Sequence, residues 1–288
     1  MVTSFTWPNK RVHRDKLVSD ATRPDHLPDF RSPPLNEVVL GVQFSPPQGY
    51  QQIYAGEVWN LFRKEFPKVE EQPPLAPVFE TFGLPSKGRQ QIGLVTGASH
   101  DRFWFLRPDG DELIQFQQDR LLHNWREVGE ETNEYPRFES MVENFRGEMG
   151  QLQDFMNCLA PQKLSINQCE ISYINHIVPA DDQALVAADW LRLVSFGDKE
   201  PNDFSISFRE EIRDNEGKPF GRLICDASIG IKADRQRTIV LTLTVRGTPK
   251  RDDITSALDF LGMGRDLIVC KFAELTTDEA HTKWGRIR

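Results

Sequence analysis

Two long segments of helical period, each preceded by a run of short period-two segments, constrain this chain more than any single motif does. Over residues 137–159, Phe138, Met141, Phe145, Met149, Leu152 and Met156 recur at helix spacing, and over 253–275 Ile254, Leu258, Leu261, Ile268, Phe272 and Leu275 do the same. Ahead of the first, Val38, Leu40, Val42 and Phe44 alternate as a half-buried strand, residues 51–65 read as a helix stopped by Pro67, and strands are expected at 91–97, 102–107 and 112–119. Ahead of the second come a strand at 169–178, a short helix at 182–196 bearing Trp190, and strands at 203–212, 221–231 and 237–246. Arg107-Pro-Asp-Gly110 and Arg213-Asp-Asn-Glu-Gly217 are turn sequences that join neighbouring strands as hairpins.

Antiparallel runs closed by one long helix belong to the α+β class and not to a doubly wound parallel sheet. Both parts read strand, helix, three strands, long helix, so the expected architecture is two similar halves, 33–160 and 161–288, as a possible pseudo-repeat within one compact unit. Residues 1–32, with Lys10, Arg11, Arg14, Lys16 and Arg23 set among prolines, are expected to form a flexible arm. Residues 70–90, rich in Pro and Gly, read as a loop.

Hydrophobic residues make up 39% of the 288, and nineteen Phe and six Trp can bury large areas, so a substantial core is available. A formal net charge of −8 disfavours non-specific binding to a polyphosphate or to an anionic membrane. No apolar run approaches the roughly 18–20 residues that span a bilayer, and the N-terminus lacks a charged start followed by an apolar stretch, so a cytoplasmic location is expected. Cys158, Cys169, Cys225 and Cys270 form no CxxC pair and have no His at zinc-finger spacing; buried, reduced thiols are expected, with no metal and no cofactor.

The densest segment is Glu112–Arg126, which alternates like a strand yet ends in polar and aromatic side chains. Asp119, Arg120, His123, Asn124 and Arg126 are its candidate binding residues. His, Asp and Arg together suit acid–base work on an anion, but no nucleophile stands in an elbow motif and no second carboxylate lies at a fixed offset, so no catalytic residue is assigned. The competing structural reading packs Trp125 inward and pairs exposed arginines with nearby acids. Tyr173 and Asn175 share one face of an otherwise apolar strand; they either satisfy backbone groups or line a polar cavity. Arg102, Arg107, Arg120, Arg126, Arg137 and Arg146, with Trp104, Phe116 and Trp125, have the composition of a single-strand-binding surface, but interleaved acids favour a self-paired face. Gly262-Met-Gly-Arg-Asp266 lacks the phosphate-loop pattern and reads as a loosened or kinked helix turn.

Several of these blocks resemble an uncharacterised prokaryotic family of about this size. They are Pro33-Pro-Leu-x-Glu-Val-Val-Leu40, Trp59-x-x-Phe-x-x-x-Phe-Pro67, Leu113-Ile-Gln-Phe-Gln-x-Asp-Arg-Leu-x-x-Asn-Trp-Arg126, Tyr135-Pro-x-Phe138, Ile171-Ser-Tyr-Ile-Asn175 and Trp284-Gly-Arg286. The family is noted for sporadic distribution among bacteria and archaea, which implies an accessory gene such as a defence or toxin–antitoxin component; it supplies no catalytic residues. From the residues themselves, the expected function is non-enzymatic binding of a macromolecular partner, a protein before a nucleic acid, because Arg, Trp and Tyr dominate interfaces. A small-molecule sensor with a cavity between sheet and helices is the first alternative, with Tyr173, Asn175 and His123 as its polar contacts, and an enzyme with an unrecognised site the second.

Overall fold

A computed structural model of the protein describes residues 23–83, 101–129, 133–179, 184–197, 199–232 and 235–288. These residues form one nine-stranded antiparallel sheet and four α-helices, an α+β arrangement. The strands are β1 Leu35–Phe44, β2 Lys68–Gln72, β3 Arg102–Leu106, β4 Glu112–Gln117, β5 Arg120–Arg126, β6 Ile166–Ile177, β7 Ser205–Arg213, β8 Pro219–Ile231 and β9 Arg237–Gly247. Across the sheet they run β2-β3-β4-β5-β1-β6-β9-β8-β7. The helices are α1 Ala55–Phe62, α2 Phe138–Leu159, α3 Ile254–Leu275 and α4 Asp278–Lys283. No described helix is long and apolar enough to cross a membrane.

All four helices share one side of the sheet. Leu40 of β1 pairs in register with His123 of β5 and Ile171 of β6, so these three side chains point the same way. Glu148 of α2 reaches His123, and Gly264 of α3 lies against Ile171. Phe62 of α1 meets Phe105 of β3, and Trp284 at the end of α4 meets Phe272 of α3. Between sheet and helices sits a single apolar core in which Val38, Leu40, Phe116, Leu121, Met141, Met149 and Ile171 are buried. Asp253 starts α3 by accepting a hydrogen bond from the Ser256 backbone N–H at 2.7 Å, a standard cap for the unpaired donors of a first turn.

Several expectations are corrected by the backbone. The alternation of 112–126 is two strands, folded at Gln118-Asp119 so that Gln117 pairs with Arg120. Residues 51–65 hold a 3-10 turn at Gln52–Tyr54 and an α-helix that ends at Phe62. The loop expected over 70–90 begins as an edge strand, β2. The helix expected at 182–196 is, among its described residues, a 3-10 turn at Ala187–Asp189; Leu191 then bridges to Thr276, and Trp190 stacks on Trp284 instead of lying on a helical face. The strand expected at 91–97 lies outside the described residues, as do residues 1–22 of the arm. The described end of that arm is not loose: Leu27 and Phe30 are buried, and Phe30 bridges to Arg286.

The glycine pair in α3 does not break it. The helix runs unbroken from Ile254 to Leu275. A Cβ on Gly264 would come within 2.6 Å of Ile171 Cγ2, so the missing side chain lets the helix settle closely onto the sheet. The four cysteines are unbridged, but only Cys169 and Cys225 are buried; Cys158 and Cys270, near the helix ends, are exposed.

Candidate functional site

Because side chains alternate along β5, the candidate residues separate. Leu121, His123 and Trp125 face the helices, while Arg120, Leu122, Asn124 and Arg126 face the other way. No described helix covers that opposite face, yet it is not freely solvated: beside the buried aliphatic side chains of Val39, Leu106 and Leu113, the polar Gln43, Gln115, Gln117, Arg120, Asn124 and Gln168 are all buried.

A hydrogen-bonded ladder crosses four strands of this face. Gln115 Oε1 accepts from Arg102 at 2.5 Å and from Trp104 Nε1 at 3.0 Å. Gln115 Nε2 donates to Asn124 Oδ1 at 2.9 Å, and Asn124 Nδ2 donates to Glu37 Oε1 at 2.6 Å. Each amide uses both ends, which fixes its orientation and holds the indole above it. The Trp104 ring carries the guanidinium of Arg102 at 5.6 Å and that of Arg126 at 5.8 Å from its centre. Arg126 is itself tied to the carbonyl of Gly110, whose φ of +77° makes the tight turn between β3 and β4.

Asp119 and Arg120 form a second unit of the same face. Arg120 Nε and Nη2 bond the two carboxylate oxygens of Asp119 at 3.0 and 3.1 Å, and Gln117 Nε2 adds a third donor at 3.0 Å. Arg120 is therefore not the exposed, loosely paired arginine that the sequence suggested: it is 8% exposed and bidentate. Trp125 is core, as its inward alternation requires, at 3% exposure.

Part of the reason for this burial is a strap. After β2, residues 73–83 run across the uncovered face without regular structure. The Leu75 N–H donates to Gln117 on β4, the Val78 N–H to Gln43 on β1, and Glu80 reaches Arg246 on β9 and Arg222 on β8. Arg222 also donates to the Thr81 carbonyl at 2.7 Å and lies 5.0 Å from the centre of the Phe82 ring. From β4 to β8 is five strand spacings, about 24 Å at about 4.8 Å each. The six residue-to-residue steps from Leu75 to Thr81 reach about 20 Å when extended, the long Arg222 side chain closing the rest. The strap is thus nearly straight and lies across the strands. Its signal in the sequence was Pro73-Pro74-Leu75-Ala76-Pro77, where each proline fixes its own φ and pushes its predecessor to an extended conformation. Beneath it remains a cavity of about 360 Å³ floored by Gly41, Leu122 and Gln168.

The other candidates stand elsewhere. His123 is fully buried between two carboxylates: Nδ1 lies 2.9 and 3.0 Å from the Glu148 oxygens and Nε2 lies 3.5 Å from Glu112, which Arg107 also contacts at 3.0 Å. Burial works against the imidazolium, but the nearby Glu148 and Glu112 charges and hydrogen bonds outweigh it and raise its pKa to about 9. Tyr173 and Asn175 face α3. The Tyr173 hydroxyl meets that of Tyr135 at 3.1 Å, and Asn175 Nδ2 donates to the Leu241 carbonyl. Burial raises the pKa of Tyr173 to about 12 and that of Tyr135 above the ordinary phenol range. The cavity beside them holds about 60 Å³, room for about two waters at bulk density. The seven candidates are thus not one site. Asp119, Arg120, Asn124 and Arg126 share the uncovered face; His123 is sealed under α2, and Tyr173 with Asn175 lies under α3. Arg102, Trp104, Gln115 and the strap complete the face, and only the first two stood out in the sequence. Among the described residues, no group of three or more His, Cys, Asp and Glu side chains is placed to hold a metal.

No family model matches the chain, and no curated protein or solved structure matches it.

Proposed function

We propose that the protein is a non-enzymatic, cytoplasmic binding protein that engages a protein partner through the sheet face left uncovered by its helices. The observation that carries this reading is Trp104, held between Arg102 and Arg126 over a ladder of amides on that face. Tryptophan and arginine contribute most to interface energies, and a partner can use them best where they are already ordered. The histidine that could have served as an acid or base is fully enclosed between carboxylates, which supports binding over catalysis. The cavity lined by Tyr173 and Asn175, at about 60 Å³, lends less support to the sensor reading than the ordered face lends to partner binding. Among the roles that the family resemblance implies, a partner-binding component of a defence or toxin–antitoxin system fits such a face.

We further infer that the sheet combines two related halves. In support, β1 and β6 stand side by side at its middle, each flanked on its outer side by the last strand of its own meander, β5 and β9, and each meander leads into a long helix, α2 and α3.

The test is capture from the native host with the tagged full chain. A partner retained by the wild type and by Arg146→Ala, on the exposed side of α2, but lost with Trp104→Ala supports the reading. Retention by all three, or capture of nucleic acid alone, overturns it.

A further inference from the structure

The strap resembles a bound peptide more than a structural loop. Residues 73–101 connect two strands that are hydrogen-bonded neighbours, β2 and β3, where a turn of two to five residues would suffice. Its contacts are those of a recognised ligand: backbone N–H groups on Gln43 and Gln117, a carboxylate shared by Arg222 and Arg246, and a ring on the Arg222 guanidinium. Glu80 and Arg222 are well buried, with side chains 11% and 9% exposed, so this ion pair is the firm end of the attachment.

The rest of the strap is attached weakly in apolar terms. Leu75, Val78 and Phe79 remain 38%, 41% and 46% exposed, Leu75 and Val78 edging the cavity below, so little apolar burial holds the segment down. Below them lies the cavity of about 360 Å³. Gln168 lines that cavity at 6% exposure; its Nε2 donates to Thr248, while its Oε1 is buried with no hydrogen-bond partner among the described residues. A buried acceptor without a donor is a cost that a ligand N–H would remove.

Resting on the reading of this face as the partner surface, we propose that the groove between strap and sheet is a peptide-binding site. Residues 73–83 are its resident occupant, and the partner supplies an extended segment carrying a carboxylate two residues before an aromatic, as Glu80 and Phe82 do here. The incoming carboxylate takes the place of Glu80 between Arg222 and Arg246, and a backbone N–H or side-chain donor of the partner reaches Gln168. Tethering gives the resident segment an effective concentration of about millimolar, so a free peptide competes poorly until the resident anchor is weakened.

The probe is a labelled synthetic peptide with the sequence of residues 72–83, titrated by fluorescence anisotropy against full-length protein. Glu80→Gln with Phe82→Ala releases the resident anchor; thermal melting confirms that this variant is folded. The peptide should bind the released protein roughly tenfold or more tighter than the wild type, and lose that gain when Arg222→Met is added or when the peptide itself carries Gln in place of Glu80. Equal binding to wild type and released protein, or no binding to a folded released protein, overturns the proposal. The two readings fail separately. Absent peptide binding with partner capture still dependent on Trp104 removes only the strap's role. Peptide binding with capture indifferent to Trp104 removes the partner-surface assignment instead.

Discussion

One strand shows both faces of this molecule. On the helix side of β5, Leu121, His123 and Trp125 lie in a core of aliphatic and aromatic side chains; on the other, Arg120, Asn124 and Arg126 are linked to neighbours by amides, carboxylates and a ring. Both faces are buried over much of their area, but by different means. The helix side excludes water by packing, which is non-directional and tolerant of repacking. The strap side excludes it with hydrogen bonds that must each be completed, so that its geometry is fixed and its stability contribution is small. A surface of the second kind is worth maintaining when position matters more than stability.

This contrast is broken most directly by cutting into each face at the same strand. Trp125→Ala should cost roughly 3–5 kcal/mol, because the whole indole is core. Arg120→Ala should cost roughly 3 kcal/mol, less from lost attraction than from leaving the Asp119 carboxylate buried with Gln117 as its remaining side-chain donor among the described residues. Urea denaturation of both variants measures the difference. An Arg120→Ala protein as stable as the wild type would show that the strap side is looser than its hydrogen bonds indicate.

A finer contrast lies within α3. Gly264→Ala places a methyl 2.6 Å from Ile171 Cγ2 and near Val245, both β-branched and stiff, so overpacking should outweigh the helix propensity gained and destabilise by about 1–2 kcal/mol. Gly262→Ala meets nothing within 4 Å and should stabilise by about 1 kcal/mol. The pair of melting curves should move in opposite directions.

The long helices, the α+β class and most strands were legible because each rests on local periodicity: Phe138 to Leu159 and Ile254 to Leu275 carry their pattern in full. The fold at Gln118-Asp119 was missed: Asp119 is a turn residue and the inward parity shifts there, from Ile114 and Phe116 to Leu121 and Trp125, but no Gly or Pro marks the two-residue turn. The site was legible in composition but not in membership. Arg120, Asn124 and Arg126 fall on one face by parity alone and Asp119 joins them from the turn, whereas their partners Gln115, Glu37 and Arg102 come from strands whose order no local pattern encodes. His123 was grouped with them by proximity in sequence, although a strand sends adjacent residues to opposite faces.

That separation makes His123 a probe of the helix side alone. Its pKa is raised from 6.5 to about 9 in the folded state by Glu148 and Glu112 against the opposing effect of burial. The stabilisation this supplies is complete below about pH 6.5 and is lost as pH rises through about 9. Melting temperature should therefore fall by several degrees between those limits, and His123→Gln should flatten the slope. Partner capture at pH 7 and below should be unchanged by the pH step, since His123 has no exposure on the uncovered face.

The smallest effect on stability should accompany the largest on binding. Trp104 is only half-buried, and its loss removes two cation–π contacts of about 0.5–1 kcal/mol each at such sites and one indole hydrogen bond. Part of that is recovered when Arg102 and Arg126 regain water and Gln115 keeps its bond to Asn124, so Trp104→Ala should cost about 1 kcal/mol or less. If the uncovered face is the working surface, the same substitution removes an ordered anchor and should reduce partner capture by at least about tenfold, the usual consequence of deleting a central tryptophan. Trp125, one strand position behind Arg126 and pointing the other way, supplies the control: its effect on capture should follow the fraction unfolded and nothing more. Equal losses of capture from both tryptophans at matched stability would mean that the two faces do not divide the work, and that the partner senses the fold as a whole.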